Sequence, residues 1–324
     1  MTATEPEQTQ AAHGGTAPAA IHRLPPREGL WLLAILTLAW GANWPAMKLA
    51  LVEVEPWTFR TVCLLVGAAG QFAIALSFGQ RLHIPREDLK PMVILAFFNI
   101  SVWHIATAFG LTMMEAGRAS LIAYTMPLWA TILSVAFLGE KLSRFQFLGL
   151  AAGLAGLALL LLPAVDGIAR SAVGGLLMLG AAITWAIGTI GMKRVRWRMS
   201  VIQLTAWQLL IGCFPIVIGM LFAGRPGTLL EVSWTGFASL FYACVIGMVF
   251  CHYAWFKIVH LFPASIAAIS MLGVPTVGLL SSAWILGEPI SAVDMLALLL
   301  IVLALALVLV APGLVRRQEA ARSA

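Results

Sequence analysis

The sequence predicts an all-α integral membrane protein with ten transmembrane helices, arranged as two inverted five-helix repeats. Three observations predict this fold class: the composition, the number of apolar runs and an internal repeat. The 324 residues are 61% hydrophobic and only 10% charged, whereas about 25% of the residues of a soluble protein are charged. So few charges cannot cover a water-exposed surface, and the bilayer is therefore the predicted solvent.

Apolar runs of bilayer-spanning length occur ten times. A transmembrane helix needs about 20 apolar residues, and its backbone groups must bond within their own segment. We interpret residues 1–28 as a disordered cytoplasmic tail because they lack an apolar period, and residues 313–324 as a second cytoplasmic tail. The predicted spans lie near 30–50, 57–78, 92–112, 119–138, 145–164, 173–192, 203–223, 236–257, 266–286 and 291–311.

The distribution of Lys and Arg predicts that both termini are cytoplasmic. With the N-terminus inside, the cytoplasmic side carries 15 of these residues and the opposite side carries 5. Cytoplasmic loops of membrane proteins are enriched in Lys and Arg, which explains the net charge of +6 without a nucleic-acid partner. Membrane lipid is an expected partner, and Arg194, Arg196 and Arg198 fit a loop near anionic headgroups.

An internal repeat relates the two halves of the chain. At an offset of 148 residues, the Leu-Gly-Glu of 138–140 aligns with that of 286–288; at an offset of 145, Trp40 aligns with Trp185. Each unit contains five spans, an odd number, so the second unit must enter the membrane from the opposite side. Inverted repeats of this kind recur in secondary transporters, whose halves exchange conformations during transport.

We place the first unit at residues 29–165 and the second at residues 170–312. Pro127 and Pro275 align between the units. They are predicted hinges, because proline removes a backbone hydrogen bond and kinks a helix; a static bend is the alternative.

Four motifs stand out in the two units: WGANWPAMK at 40–48, PWTFR at 56–60, the segment 119–140, and Gly287-Glu288. Together they resemble the drug/metabolite transporter superfamily, and within it the EamA-domain proteins, over roughly residues 30–311. The resemblance implies ten helices around a central cavity and export of amino acids or other small metabolites across a bacterial inner membrane. Small multidrug exporters of the superfamily use a membrane-embedded Glu, whereas the predicted span interiors here contain no Asp or Glu, which disfavours lipophilic cations.

Arg60 is a candidate for binding a substrate carboxylate. A guanidinium group in a low dielectric forms strong, paired hydrogen bonds with a carboxylate. The alternatives are a side chain that snorkels to the membrane surface or one that pairs with Glu53, Glu55 or Glu115.

His104 and His252 are the ionisable pair at depth, and ionisable groups inside a span cost about 2.5–3.5 kcal/mol. Histidine titrates near neutrality, so either could carry a proton during coupling. The alternative is a neutral imidazole that bonds a neighbouring helix.

Aromatic and polar residues on several spans predict a cavity for a partly apolar solute; ordinary packing is the alternative. Trp40, Asn43, Trp44 and Met47 share one helix face, at i, i+3, i+4 and i+7. The candidate substrate-binding residues are Asn43, Trp44, Arg60, His104, Thr107, Tyr124, Trp185, Thr189, Gln208, His252 and Trp255.

The sequence carries no signature of catalysis, metal binding or nucleotide hydrolysis. We therefore expect a secondary transporter without a cofactor, with a membrane-embedded enzyme or a passive channel as the alternatives. Gly149 and Gly153 form a GxxxG motif, which favours close helix packing and leaves a homodimer open.

Overall fold

The computed structural model describes residues 27–139, 142–161, 169–261 and 264–310, which contain helices and turns but no β-strand. Most of the two predicted tails, and Glu140, lie outside the described residues. The α-helices are α1 (Arg27–Glu53), α2 (Pro56–Ser77), α3 (Arg86–Ala96), α4 (Trp103–Met113), α5 (Ala116–Ala123), α6 (Met126–Leu138), α7 (Arg144–Leu161), α8 (Ala169–Arg194), α9 (Val201–Ala223), α10 (Trp234–Phe241), α11 (Cys251–Leu261), α12 (Ala264–Leu286) and α13 (Ala292–Leu305).

Eight helical stretches of the described residues are long and apolar enough to cross a membrane, with 18 to 28 residues each. Two further apolar helices, Gly273–Leu286 and Ala292–Val308, are shorter. Large apolar side chains lie on the surface, including Phe222 (89% exposed) and Trp284 (86% exposed), as expected where lipid is the solvent. The predicted all-helical membrane fold is confirmed at this level, whereas the count of ten and the orientation stay predictions.

Three π-helical segments occur among the described residues. Ala306–Val310 follows α13, and the other two lie within helices long enough to span the membrane. Phe97–Val102 joins α3 to α4, and Tyr242–Phe250 joins α10 to α11. π-helical turns are rare and frequently lie at functional sites. The offset of 148 residues carries 97–102 onto 245–250, so the two segments occupy aligned positions in the two halves.

Glycines allow α2 and α9 to approach these π-helical segments closely. A Cβ atom on Gly67 would lie 2.9 Å from the Cβ atom of Met248. Gly212 packs in the same way against Ile100, and its carbonyl oxygen accepts a 2.7 Å hydrogen bond from the Ser101 hydroxyl. Larger residues at either glycine would push the helices apart.

The two predicted hinge prolines have different surroundings. α5 ends at Ala123 and α6 begins at Met126, so Pro127 lies in the first turn of a new helix rather than inside a continuous one. Proline is tolerated there because a first-turn N–H has no acceptor within the helix. Pro275 lies inside α12, which runs without a break. The helix predicted over 119–138 is therefore interrupted, whereas the one predicted over 266–286 is continuous.

The GxxxG motif of α7 packs within this chain. A Cβ atom on Gly149 would lie 3.0 Å from the carbonyl oxygen of Ala304, and one on Gly153 would lie 3.1 Å from the Ala304 Cβ. The predicted close packing thus joins α7 to α13, and a homodimer stays a prediction.

Candidate functional site

A cavity of about 110 Å³ lies between α1, α2, α4, α8 and the second π-helical segment. Eight of the eleven candidate residues line it, and Thr189, Gln208 and Trp255 do not. The lining residues are Trp40, Asn43, Trp44, Met47, Arg60, Trp103, His104, Thr107, Tyr124, Met126, Trp185, Gly247, Met248 and His252.

Arg60 gives this cavity a fixed positive charge, although the residue is only 3% exposed. Its Nε donates to the carbonyl oxygen of His104 (2.9 Å), and its Nη2 donates to Thr107 Oγ1 (2.8 Å). Nη2 also lies 3.4 Å from Met47 Sδ. All three partners are neutral, so they orient the guanidinium group without neutralising its charge.

None of the three glutamates near Arg60 pairs with it in the described part of the chain. Glu55 caps α2 by accepting hydrogen bonds from first-turn N–H groups. Glu53 accepts hydrogen bonds from the N–H and the hydroxyl of Ser233, both at 2.6 Å. Glu115 has a buried Oε2 without a described partner. No acidic residue is among the described lining residues of the cavity, so an anionic ligand would meet no protein carboxylate there.

Aromatic side chains form much of the cavity wall. The Trp44 and Tyr124 rings meet edge to face with centroids 6.5 Å apart. The Trp103 and Trp185 rings are tilted, with centroids 4.9 Å apart. Trp40 completes this set. Such rings offer apolar contact area together with electron-rich faces that attract cations.

The two candidate histidines line the cavity but differ in their hydrogen bonding. His104 is 5% exposed, and its Nδ1 has no hydrogen-bond partner among the described residues. His252 Nδ1 lies 3.2 Å from the carbonyl oxygen of Gly247, and its ring packs edge-on against Trp40. The two imidazoles thus differ at Nδ1, which has a described partner in His252 and none in His104.

Asparagine and glycine meet twice in this region. A Cβ atom on Gly247 would lie 2.7 Å from Asn43 Oδ1, and Gly188 is in still closer contact with Asn99 Oδ1. By the repeat offsets, Asn43 aligns with Gly188 and Asn99 aligns with Gly247. The same type of contact therefore joins the two halves twice, with the asparagine on the first helix of its unit in one contact and on the third helix in the other. Neither Oδ1 has a hydrogen-bond partner among the described residues.

Three candidate residues lie outside the cavity lining. Thr189 Oγ1 donates to a carbonyl oxygen one turn earlier in α8, at 2.8 Å. Gln208 Nε2 donates to Met192 Sδ at 3.0 Å. The ring of Trp255 packs against Trp40, with centroids 6.0 Å apart. Each of these polar or aromatic groups is engaged by a neighbouring part of the protein.

Four lining residues were not singled out from the sequence: Trp103, Met126, Gly247 and Met248. Methionine and glycine within an apolar span look like ordinary packing residues. Trp103 directly precedes His104, and neighbouring residues on an α-helix point about 100° apart, so a search for one helix face misses it.

Candidate metal ligands do not cluster in the part of the chain that the structure describes. No group of three or more His, Cys, Asp or Glu residues could hold a metal ion there. The four cysteines, all among the described residues, are buried and free.

The fold and the cavity define a multi-pass helical membrane protein with an internal aromatic cavity and one fixed cation. The sequence profile of the EamA-like transporter family matches residues 27–162 and 172–310. The chain therefore belongs to the EamA-like transporter family, and the predicted resemblance is confirmed.

Individual proteins support this assignment. The chain is 30% identical over 288 residues to the uncharacterized transporter YvbV of Bacillus subtilis (strain 168), covering 88% of this chain and 93% of that protein. It is 26% identical over 279 residues to a probable amino-acid metabolite efflux pump of Escherichia coli (strain K12), covering 83% and 91%. A solved crystal structure shares the fold, with a TM-score of 0.62, 19% identity and 89% and 98% coverage. The family and these named relatives are transporters rather than enzymes.

Proposed function

We propose that this protein is a secondary active transporter that exports amino acids or related small metabolites across a bacterial inner membrane by alternating access. In this proposal the chain crosses the membrane ten times with both termini in the cytoplasm. The units at residues 29–165 and 170–312 form the inverted repeats. Family membership supports transport, and the probable efflux pump among the relatives favours amino-acid metabolites.

The observation that carries the substrate class is the uncompensated charge of Arg60. Its guanidinium group is buried beside the cavity, and its hydrogen-bond partners among the described residues are all neutral. A buried charge without a counter-ion is costly unless a ligand supplies one. A carboxylate entering the cavity would supply that charge and form charge-assisted hydrogen bonds. A monocarboxylate fits better than a dicarboxylate, because only one fixed cation lines the described cavity.

The remaining lining favours an amino acid over a simple carboxylic acid. Asn43 Oδ1 lacks a hydrogen-bond partner among the described residues and can accept a hydrogen bond from an ammonium group. The faces of Trp40 and Trp44 can attract the same cation. The other rings offer apolar contacts for a hydrocarbon side chain. A zwitterion thereby finds a partner for each of its charges in a cavity without acidic residues.

The repeated asparagine–glycine contact supports alternating access. Asn43–Gly247 and Asn99–Gly188 each join the first helix of one unit to the third helix of the other. The repeat relates the two contacts to each other. If the two halves exchange conformations, each contact takes the place of the other, and both are retained. A passive channel or a membrane-embedded enzyme, the alternative functions, does not require this exchange.

Transport by purified protein in proteoliposomes tests the proposal. A panel of neutral amino acids identifies a transported compound, which is then compared with its carboxamide and its decarboxylated amine. We expect flux of the amino acid to exceed that of both analogues at least tenfold, because neither analogue offers a carboxylate to Arg60. Equal flux of the amine would exclude carboxylate recognition, and absence of flux for the whole panel would count against amino-acid export.

The same vesicles distinguish the alternative functions. A secondary transporter accumulates its substrate against a concentration gradient when an imposed pH gradient drives it. A channel only equilibrates the substrate, and an enzyme changes its mass, which mass spectrometry of the recovered compound detects. Proton coupling is supported only if accumulation depends on the pH gradient.

A further inference from the structure

Two carboxylates near the α12–α13 connection hold the beginning of α5. Glu288 accepts hydrogen bonds from the N–H groups of Ala116 (2.7 Å) and Gly117 (2.9 Å). Asp294 forms an ion pair with Arg118, with 2.7 Å between Oδ1 and Nε. These partners lie 171 to 176 positions apart in the sequence. The contacts therefore join the two halves of the protein directly.

The geometry of this junction is tight. Asp294 is 2% exposed, and its Oδ2 also accepts hydrogen bonds from the Ser291 N–H (2.9 Å) and hydroxyl (2.6 Å). A Cβ atom on Gly117 would lie 2.8 Å from Leu279 Cδ1, so α5 and α12 are in close contact. The Glu288 carboxylate also lies at a helix N-terminus, where the helix dipole favours negative charge.

At the opposite end of the molecule, the residues that align with this junction can form only some of its contacts. Gln146 retains the capping function, because its Oε1 accepts a 2.9 Å hydrogen bond from the Ser143 N–H. The ion pair, however, has no equivalent, because neutral residues replace both of its charged partners. The aligned residues are Glu140 with Glu288, Gln146 with Asp294, and Ile266 with Arg118.

We propose that Glu288, Asp294 and Arg118 form a latch that holds the extracellular side closed. The latch rests on the proposed alternating access and orientation. In an inverted repeat, a junction between the fourth helices of the two units closes one side, and its aligned counterpart closes the other. Because the ion pair belongs to the extracellular junction alone, the outward-closed state is favoured, and the latch must break each time substrate leaves the cell.

A cysteine introduced at a buried position next to the latch can report whether the latch is open. Ser120 is fully buried two residues after Arg118 in α5, and a Cβ atom on Gly278 of α12 would lie 2.7 Å from its Oγ. S120C is placed in a protein whose native cysteines are replaced by alanine, and a membrane-impermeant maleimide is added from either side. The native cysteines are Cys63, Cys213, Cys244 and Cys251.

We expect E288Q combined with D294N to increase labelling of the reporter from the extracellular side about tenfold, which corresponds to about 1.4 kcal/mol. Labelling from the cytoplasmic side should not increase. E53Q is the matched control, since Glu53 also bonds across the halves, to Ser233. At the opposite end of the molecule, Asp88 accepts a hydrogen bond from the Arg198 N–H. This bond also joins the two halves and is formed in the same structure, so this kind of contact does not distinguish the two states.

A variant with the charges transplanted separates a latch from simple destabilisation. Q146D combined with I266R adds the ion pair at the cytoplasmic end and leaves the extracellular latch intact. It should also increase extracellular labelling, because it stabilises the opposite state. Unchanged labelling in both variants would overturn the latch, as would equal labelling gains from E53Q.

The labelling requires no substrate, so it can fail independently of the proposed function. Altered labelling without flux of any compound would contradict amino-acid export and leave the latch standing. Normal flux with unaltered labelling would contradict only the latch.

Discussion

The two halves of the molecule share their helix order but contribute very differently to the cavity. The half up to residue 165 provides ten of the lining residues, including Arg60 and His104, whereas the other half provides four. The π-helical segments and the glycine contacts, in contrast, recur in both halves. Backbone features that allow close packing are thus repeated, whereas most of the side chains that line the cavity belong to the first half.

Arg60 and Gln208 show this difference most clearly. They align at the offset of 148 residues, and Met47 aligns with Met192 at the offset of 145. Arg60 Nη2 lies 3.4 Å from Met47 Sδ, and Gln208 Nε2 lies 3.0 Å from Met192 Sδ. One contact geometry is therefore repeated with a charged donor in one half and a neutral donor in the other.

The largest expected effect comes from replacing Arg60 with glutamine, the residue type found at the aligned position, Gln208. R60Q should reduce carboxylate flux by about 10–100-fold, because a hydrogen bond involving a charged group contributes about 1.5–3 kcal/mol. Flux assays in proteoliposomes measure this loss, with R60K as a control that keeps the charge but not the fork geometry. Thermal stability should be retained, since no counter-ion is left unpaired. Undiminished flux in R60Q would contradict a role for Arg60 in substrate binding.

The next largest effect tests the repeated asparagine–glycine contact. G247A should destabilise the protein by about 1–3 kcal/mol, because the new methyl group meets the Asn43 side chain in a closely packed region. The double variant N43G/G247A should recover most of this loss. Thermal unfolding in detergent measures both, and G188A with N99G provides the matched pair at the repeat-related contact. If the changes in unfolding free energy of N43G and G247A simply add in the double variant, the Asn43–Gly247 contact does not cause the loss of stability in G247A.

A smaller effect separates the two prolines. P127A should slow transport several-fold more than P275A, because the chain is interrupted just before Pro127 but continuous through Pro275. Replacing a first-turn proline favours joining α5 and α6 into one stiffer helix. Initial rates in proteoliposomes test this, after the amount of folded protein is matched. Equal rates for the two variants would argue for static bends.

The smallest expected effect concerns the histidines. H104Q should flatten the dependence of flux on pH more than H252Q, because His104 has an unpartnered ring nitrogen and His252 lies against the Gly247 carbonyl oxygen. The measurement is a comparison of flux between pH 5.5 and 8 for each variant. If both variants keep the original pH profile, neither imidazole carries the coupled proton.

Much of the fold and part of the site follow from sequence patterns. The low share of charged residues and the repeated apolar runs predict a helical membrane protein, because lipid requires each segment to satisfy its own backbone. The polar face around Asn43, the candidate carboxylate-binding Arg60 and the ionisable His104 at depth pointed to the cavity. The interruption before Pro127 was not predicted, because proline is equally compatible with a kink and with a first turn.

By itself, the sequence determined that lipid surrounds the chain, that the fold is helical and that its two halves repeat. It also determined which residues need an explanation for their burial. The tertiary structure decided which of them meet. Gln208 aligns with Arg60 yet lies outside the cavity, whereas Trp103 lines it without any pattern that marks it. The physical reason is that period and composition act within one helix, whereas a cavity depends on how several helices approach one another. Here, the helices can approach closely at Gly188 and Gly247 because these residues carry no Cβ atom.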